Sequence, residues 1–264
     1  MIRFPLLGRT LHADGLPALA EAWLRAWWDF PEHHLPDSGY TIEVRPGGGP
    51  TASGDTAAAP PVTLPGMEMP CRALGDAGWE IGGPDAGVRL SIEGQGSRIE
   101  GWGWEAGIYP ALFAAISEAL RASGLIPLHG SGIVRDGGVT ALLALSGTGK
   151  SSTLVQALRV GWRPVAEDLM WLEPASLTVY GWDRGVHLWP DARARFAGGF
   201  EGWETAADGK LFLPWEALGT AGPASGRLGR IAVLVRDAER DSGWEPLPPR
   251  DAVRALWESM GVPL

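Results

Sequence analysis

Residues 143–152 read Leu-Ala-Leu-Ser-Gly-Thr-Gly-Lys-Ser-Ser, a set of residue types suited to holding a polyphosphate. Glycines at 147 and 149 let successive backbone N–H groups converge on phosphate oxygens. A helix that starts directly after them adds the partial positive charge of its N-terminus. In such a loop Ser146, Gly147, Thr148, Gly149, Lys150, Ser151 and Ser152 line the nucleotide. Lys150 reaches the β- and γ-phosphates, and the Ser151 hydroxyl ligates Mg²⁺. The G-x-x-x-x-G-K-[ST] pattern has a glycine where this chain has Ala144, so φ must be negative there.

A second group that could do chemistry is the acidic pair Glu167-Asp168. Of two adjacent carboxylates beside bound phosphates, one can bind Mg²⁺ and the other can take the proton of an attacking hydroxyl. Successive side chains of an extended strand point to opposite faces. Both carboxylates therefore serve one site only if the strand ends or bends there. His129-Gly130 precedes the loop by one hairpin. A histidine on an apolar strand is either a functional group or a hydrogen-bonded core residue. His12, His33, His34 and His187 offer no metal-ligand spacing.

The flanking elements must place these groups. Residues 139–145 form an apolar run expected as a strand covered on both faces. Residues 151–160 read as a helix with Leu154, Val155 and Leu158 on one side, stopped by Gly161. Residues 126–134 are expected as one strand, joined to 139–145 by the turn Arg135-Asp136-Gly137-Gly138. Strands are expected at 163–166 and 169–172, a turn and strand within 179–188, a buried strand at 231–235 and a helix at 252–260. This alternation indicates an α/β layer. Before it, helices are expected at 16–30 and 108–122, the second with Ile108, Leu112, Ile116 and Leu120 at helical spacing. Strands are expected at 40–45, 79–81, 88–92 and 98–102, the last three as a meander. The Gly- and Pro-rich residues 46–61 read as a loop. The expected fold is α/β (α+β overall). A mixed region at 1–107 serves for acceptor recognition, as a lid, or to complete the core. A nucleotide-binding catalytic domain follows at 108–264, with the helix at Ile108 packed on it.

Composition narrows the function classes. In 264 residues, 31 acidic against 22 basic side chains give a formal charge of −9. General nucleic-acid binding needs a basic surface and is not expected. A nucleotide site must then be a local positive spot. The single cysteine, Cys71, rules out an internal disulfide or a cysteine metal cluster and suits a reducing cytoplasm. Residues 1–15 lack a signal-peptide pattern. No run approaches the roughly 18–20 apolar residues that span a bilayer, so no membrane partner is expected. The 14 tryptophans are scattered and read mainly as core or rim packing.

Taken together, Leu128-His129-Gly130, residues 144–152 and Val165-Ala166-Glu167-Asp168 resemble HPr kinase/phosphorylase and its relatives. That family shows a His-Gly before the hairpin, a Ser-Gly-x-Gly-Lys-Ser loop and a later Val-Ala-Asp-Asp segment. The resemblance covers residues 125–175 closely and 176–264 loosely. It implies a P-loop HPr-kinase-like domain that uses ATP and Mg²⁺ to phosphorylate a hydroxyl, commonly of serine. By position it implies Lys150 and Ser151 on the phosphates and Mg²⁺, Glu167 beside the metal and Asp168 as general base. His129 takes the place of the histidine that contacts or orients the reacting phosphate.

Glu167 stands where the family has aspartate. The family's Glu-Ile-Arg-Gly signature is missing, with Asp183-Arg184-Gly185 as a distant echo. The chain is more similar to compact relatives such as the lasso-peptide tailoring kinases, also in Leu188-Trp189-Pro190-Asp191 and Asp208-Gly209-Lys210. Arg184, Arg193, Arg195 and Lys210 are candidates for stabilising charge on the moving phosphoryl group. The loop also resembles that of phosphoenolpyruvate carboxykinase, whose metal-ligating Lys/His/Asp set has no counterpart in this chain.

The expectation is a kinase acting on a peptide or protein serine. The alternatives are a small-molecule hydroxyl such as that of free serine, a folded carrier such as HPr, and a non-catalytic nucleotide-binding regulator. The oligomeric state is open, a homo-oligomer included.

Overall fold

Leu7 and Gly8 both have positive φ, 50° and 70°. This turn matches the twist of a hairpin and joins strands β1 (Ile2–Leu6) and β2 (Arg9–Ala13). It opens the first of two units, Met1–Gly124, with the second running from Leu125. The computed structural model describes residues 1–29, 37–50, 58–64, 67–75, 77–145, 147–206, 208–219, 224–236 and 243–259. Ser146, His33, His34 and much of the loop expected at 46–61 lie outside them.

Helix α1 (Ala18–Trp28) carries the chain from β2 to β3 (Thr41–Pro46), which pairs with β2 in parallel. Strands β4 (Ala58–Leu64), β5 (Met67–Ala73), β6 (Gly78–Gly82), β7 (Gly87–Glu93) and β8 (Gly96–Trp102) run antiparallel in succession. β8 closes onto β3 in parallel, so the sheet order is β1-β2-β3-β8-β7-β6-β5-β4. The expected meander is present, extended by β4 and β5. Residues 58–61 of β4 fall where a loop was expected.

Helix α2 (Tyr109–Ala122) buries Leu112, Ile116 and Leu120 and packs on β6, β7 and β8. Trp23 and Trp28 of α1 stack near Tyr109 and Phe113 of α2 at 5.2 and 5.1 Å. The buried Arg9 closes the helix end. Its Nε and Nη2 donate to Ser123 Oγ and O, each at 2.7 Å, an arrangement favoured by the negative C-terminal end of α2. The division between units therefore follows Gly124 rather than residue 107. The apolar face of α2 belongs to the first unit's sheet, not to the second region as the sequence suggested.

The second unit contains β9 (Ile126–His129), β10 (Ser131–Arg135), β11 (Gly138–Leu143), α3 (Lys150–Arg159), β12 (Arg163–Ala166), β13 (Leu169–Glu173) and β14 (Thr178–Gly181). It continues with β15 (Gly185–Leu188), α4 (Pro190–Phe196), β16 (Glu204–Thr205), β17 (Leu211–Pro214), β18 (Ser225–Val233) and α5 (Pro249–Ser259). The seven-stranded mixed sheet runs β12-β10-β11-β18-β14-β13-β9, and β15-β17-β16 form a separate small sheet.

Side chains alternate across the large sheet, as strand geometry requires. Val134, Ala141 and Val165 join one core, against which Leu256 of α5 packs. Ile133 and Leu142 face the other core, with Leu154 and Val155 of α3 and Val186 and Leu213 of the small sheet. β11 is thus covered on both faces, as its apolar run predicts. The hairpin turn is also as expected, with positive φ at Asp136 and Gly137.

The single strand expected over 126–134 is two strands. The chain breaks at Gly130, and β9 pairs with β13 while β10 pairs with β11 and β12. The fold is mixed α/β. Among the described residues no helix is long and apolar enough to cross a membrane.

Candidate functional site

The carboxyl ends of β9, β11 and β12 lie close together, the region of an α/β sheet where ligands bind. The loop after β11 supplies the first part. Gly147 and Gly149 have φ of 78° and 111°, conformations that glycine adopts without strain. Ala144 is not among the residues with positive φ, so alanine is tolerated there. Gly149 is the N-cap of α3, and Thr148 N donates to Leu145 O at 3.2 Å. The first N–H groups of α3, which have no intrahelical acceptor, open toward the loop. Lys150 is only 9% exposed, and its Nζ donates to Ala144 O at 3.0 Å. The ammonium is thereby held over the loop.

The bend between β12 and β13 supplies the second part. Neither strand includes Glu167 or Asp168, so the alternation that would separate their side chains is broken. The Ser151 hydroxyl donates to Glu167 Oε1. Glu167 Oε2 lies 3.4 Å from His187 Nδ1. Asp168 Oδ1 lies 3.5 Å from His129 Nδ1, and both side chains are about half exposed, at 50% and 49%. The β9–β13 pairing sets His129 opposite Leu169, which is why the imidazole reaches the neighbouring Asp168.

The backbone of the bend is held from both sides. Its carbonyls accept from Ser131 Oγ (2.6 Å, on Glu167 O) and Gly130 N (2.9 Å, on Asp168 O). Its amides Glu167 N, Asp168 N and Leu169 N donate to one oxygen, Asp183 Oδ2, at 2.7, 2.8 and 3.1 Å. Gly130 is needed for this approach. A Cβ there would lie 2.7 Å from Leu142 O and 2.8 Å from Leu143 Cδ2.

The charges are perturbed together. Loss of water and the nearby Glu167 push the Asp168 carboxyl above the usual aspartate range, against the opposing pull of His129, Lys150 and Lys210. Asp183 is pushed up to about 7, by loss of water first and then by the charge of Glu167. The hydrogen bond to Glu167 raises His187. Such clustering of shifted carboxyls is common where acid–base chemistry occurs.

Among the candidate cations, Lys210 acts on both Asp168 and His187. Its Nζ lies 5.6 Å from the Trp189 ring centre and 3.1 Å from Asp208 Oδ2. The segments containing Trp189 and Asp208-Gly209-Lys210 therefore meet in space. Arg193 and Arg195 are exposed on α4, whose C-terminal carbonyl at Phe196 accepts from Gln156 and Arg159 in the far half of α3. Arg184 is exposed too.

Two residues of this cluster were not nominated by the sequence, Asp183 as an anchor and His187 as a partner of Glu167. Their signal is long-range contact, across 14–16 residues for Asp183 and 20 for His187. No local pattern reports such contacts.

The donor set suits Mg²⁺. A serine hydroxyl and a carboxylate are hard oxygen ligands, and Mg²⁺ takes one or two of these together with phosphate and water. Among the described residues no group of three or more His, Cys, Asp or Glu side chains could cage a metal by itself. No protein-family model matches the chain, and no curated protein matches it.

Proposed function

We propose that this chain is an ATP- and Mg²⁺-dependent kinase of the HPr-kinase-like P-loop class. It would work in the cytoplasm and transfer the γ-phosphoryl group to a serine hydroxyl of a peptide or protein. The observation that carries this reading is the meeting of the loop helix and the acidic bend, with Ser151 on Glu167 and Asp168 alongside facing His129.

The loop amides and Lys150 hold the phosphates. Ser151 and Glu167 would hold Mg²⁺, which would supply charge neutralisation for the phosphates. The acceptor hydroxyl oxygen forms a bond to the γ-phosphorus as the bond to the β–γ bridging oxygen breaks. ADP keeps that electron pair, and Asp168 takes the hydroxyl proton. His129 orients Asp168 and faces the transferred group. Lys150 and Lys210 surround that group with positive charge. Positioning and electrostatics do most of the work in this chemistry. The half exposure of Asp168 and His129, with Trp189 53% exposed, supports an acceptor presented on a chain. A metabolite enclosed in a pocket is the rival acceptor.

The test is phosphate transfer from Mg-ATP, read by mass spectrometry. The acceptors offered are serine-containing peptides, a carrier protein of the HPr type and a pool of hydroxyl metabolites. Product with the wild type and none with Asp168→Asn supports the kinase and identifies the acceptor class. An Asp168→Asn chain with full activity removes the base assignment. A chain that binds no nucleotide removes the whole reading.

A further inference from the structure

Resting on the kinase reading, we infer that Asp183 is a positioning residue that makes two adjacent carboxylates serve one site. In an extended strand successive N–H groups point to opposite sides. Here three successive amides, Glu167, Asp168 and Leu169, turn inward onto Asp183 Oδ2 at 2.7, 2.8 and 3.1 Å. A run of converging amides forms a concave nest, and this nest is occupied by a side chain of the protein itself. The segment cannot be extended while these bonds hold. Its side chains are released from strand alternation, Glu167 going to Ser151 and Asp168 to His129.

Asp183 is fixed in turn by its own surroundings. Its carbonyl accepts from Trp215 Nε1 at 2.6 Å, and Trp215 is buried in the core beneath α3. Asp183 also lies two residues before the start of the short strand that bears His187, whose ring faces Glu167 Oε2. One residue thus ties the acidic bend to the small sheet. Asp183 touches neither nucleotide nor acceptor in this scheme and acts through Glu167 and Asp168.

Length and charge at this position can be separated. Asp183→Asn keeps a carbonyl oxygen at the same reach and loses the charge. Asp183→Glu keeps the charge and moves the oxygens by one methylene. Asp183→Ala removes the acceptor. The expected result is near wild-type kcat for Asp183→Asn. For Asp183→Glu and Asp183→Ala, kcat falls by about 10²-fold, with the Kd for metal-free ATP unchanged because the loop is intact.

Amide hydrogen exchange reads the nest without any reaction. Residues 167–169 should stay protected in wild type and Asp183→Asn. They should exchange on the order of tenfold faster in Asp183→Ala. Wild-type protection in Asp183→Ala overturns the inference, and so does full kcat in Asp183→Glu. Should Asp183→Ala not fold, the Asn and Glu variants carry the same contrast. A wild-type chain that binds Mg-ATP and phosphorylates nothing overturns the kinase reading alone, and exchange at 167–169 still decides the anchor.

Discussion

At Asp168 one side chain is asked to be both exposed and perturbed. It is half open to solvent, yet loss of water and Glu167 hold its carboxyl above the usual aspartate range. A general base must be ionised to work. Activity should therefore fall as pH drops through this raised value, with the acid limb at higher pH than an ordinary aspartate would give. A pH–rate profile checks this. The limb should vanish in Asp168→Asn along with roughly 10²–10⁴-fold of kcat. Gly149 makes a separate prediction. At φ 111° a side chain is strained, so Gly149→Ala should weaken ATP binding measured by calorimetry while leaving the sheet folded. The glycine turn and the helix that starts at Lys150 were legible from type and spacing alone, because the loop is local. Asp183 and His187 were not, since their partners lie 14–20 residues away.

Among the elements, the strands around the loop explain why the site has its shape. Residues 126–134 begin and end apolar, with His129, Gly130, Ser131 and Gly132 between, and read as one strand. Gly130 divides it, because only a residue without Cβ fits against Leu142 O. The break frees β9 to bring His129 to Asp168 and β10 to bring Ser131 under Glu167. Gly130→Ala should cost on the order of 1–3 kcal/mol by overpacking, read as a lower denaturant midpoint, and should impair transfer beyond the loss of folded protein. The turn at 135–138 and the loop helix were legible because their signals are short-range. The strands β1, β2, β16 and β17 and helix α4 were not anticipated. Each is short, at seven residues or fewer, and takes its order from partners elsewhere in the chain.

The whole molecule carries a formal charge of −9, and a polyphosphate must find a positive spot on it. On the proposed reading Lys150, Lys210 and the N-terminus of α3 would supply that spot, within the unit that begins at Leu125. Nucleotide should therefore stabilise that unit, by about 2.7 kcal/mol at a hundred times Kd. The added hydrogen-exchange protection should appear at 147–151 and 167–169. Protection confined to Met1–Gly124 would place the nucleotide elsewhere. Two regions were legible in the change of pattern along the chain, with the boundary expected at residue 107 rather than after Gly124. The allegiance of α2 was not, because an amphipathic helix shows which face is apolar and not which sheet will cover it.

Loop and acidic bend are proposed to form one metal–nucleotide site, which can be tested without knowing the acceptor. Calorimetric titration with ATP, in the presence and absence of Mg²⁺, compares wild type with Glu167→Gln. Binding at least about tenfold tighter with Mg²⁺ is expected in the wild type, with loss of that increment in Glu167→Gln. Absence of binding, or metal-dependent binding that Glu167→Gln leaves unchanged, would contradict it.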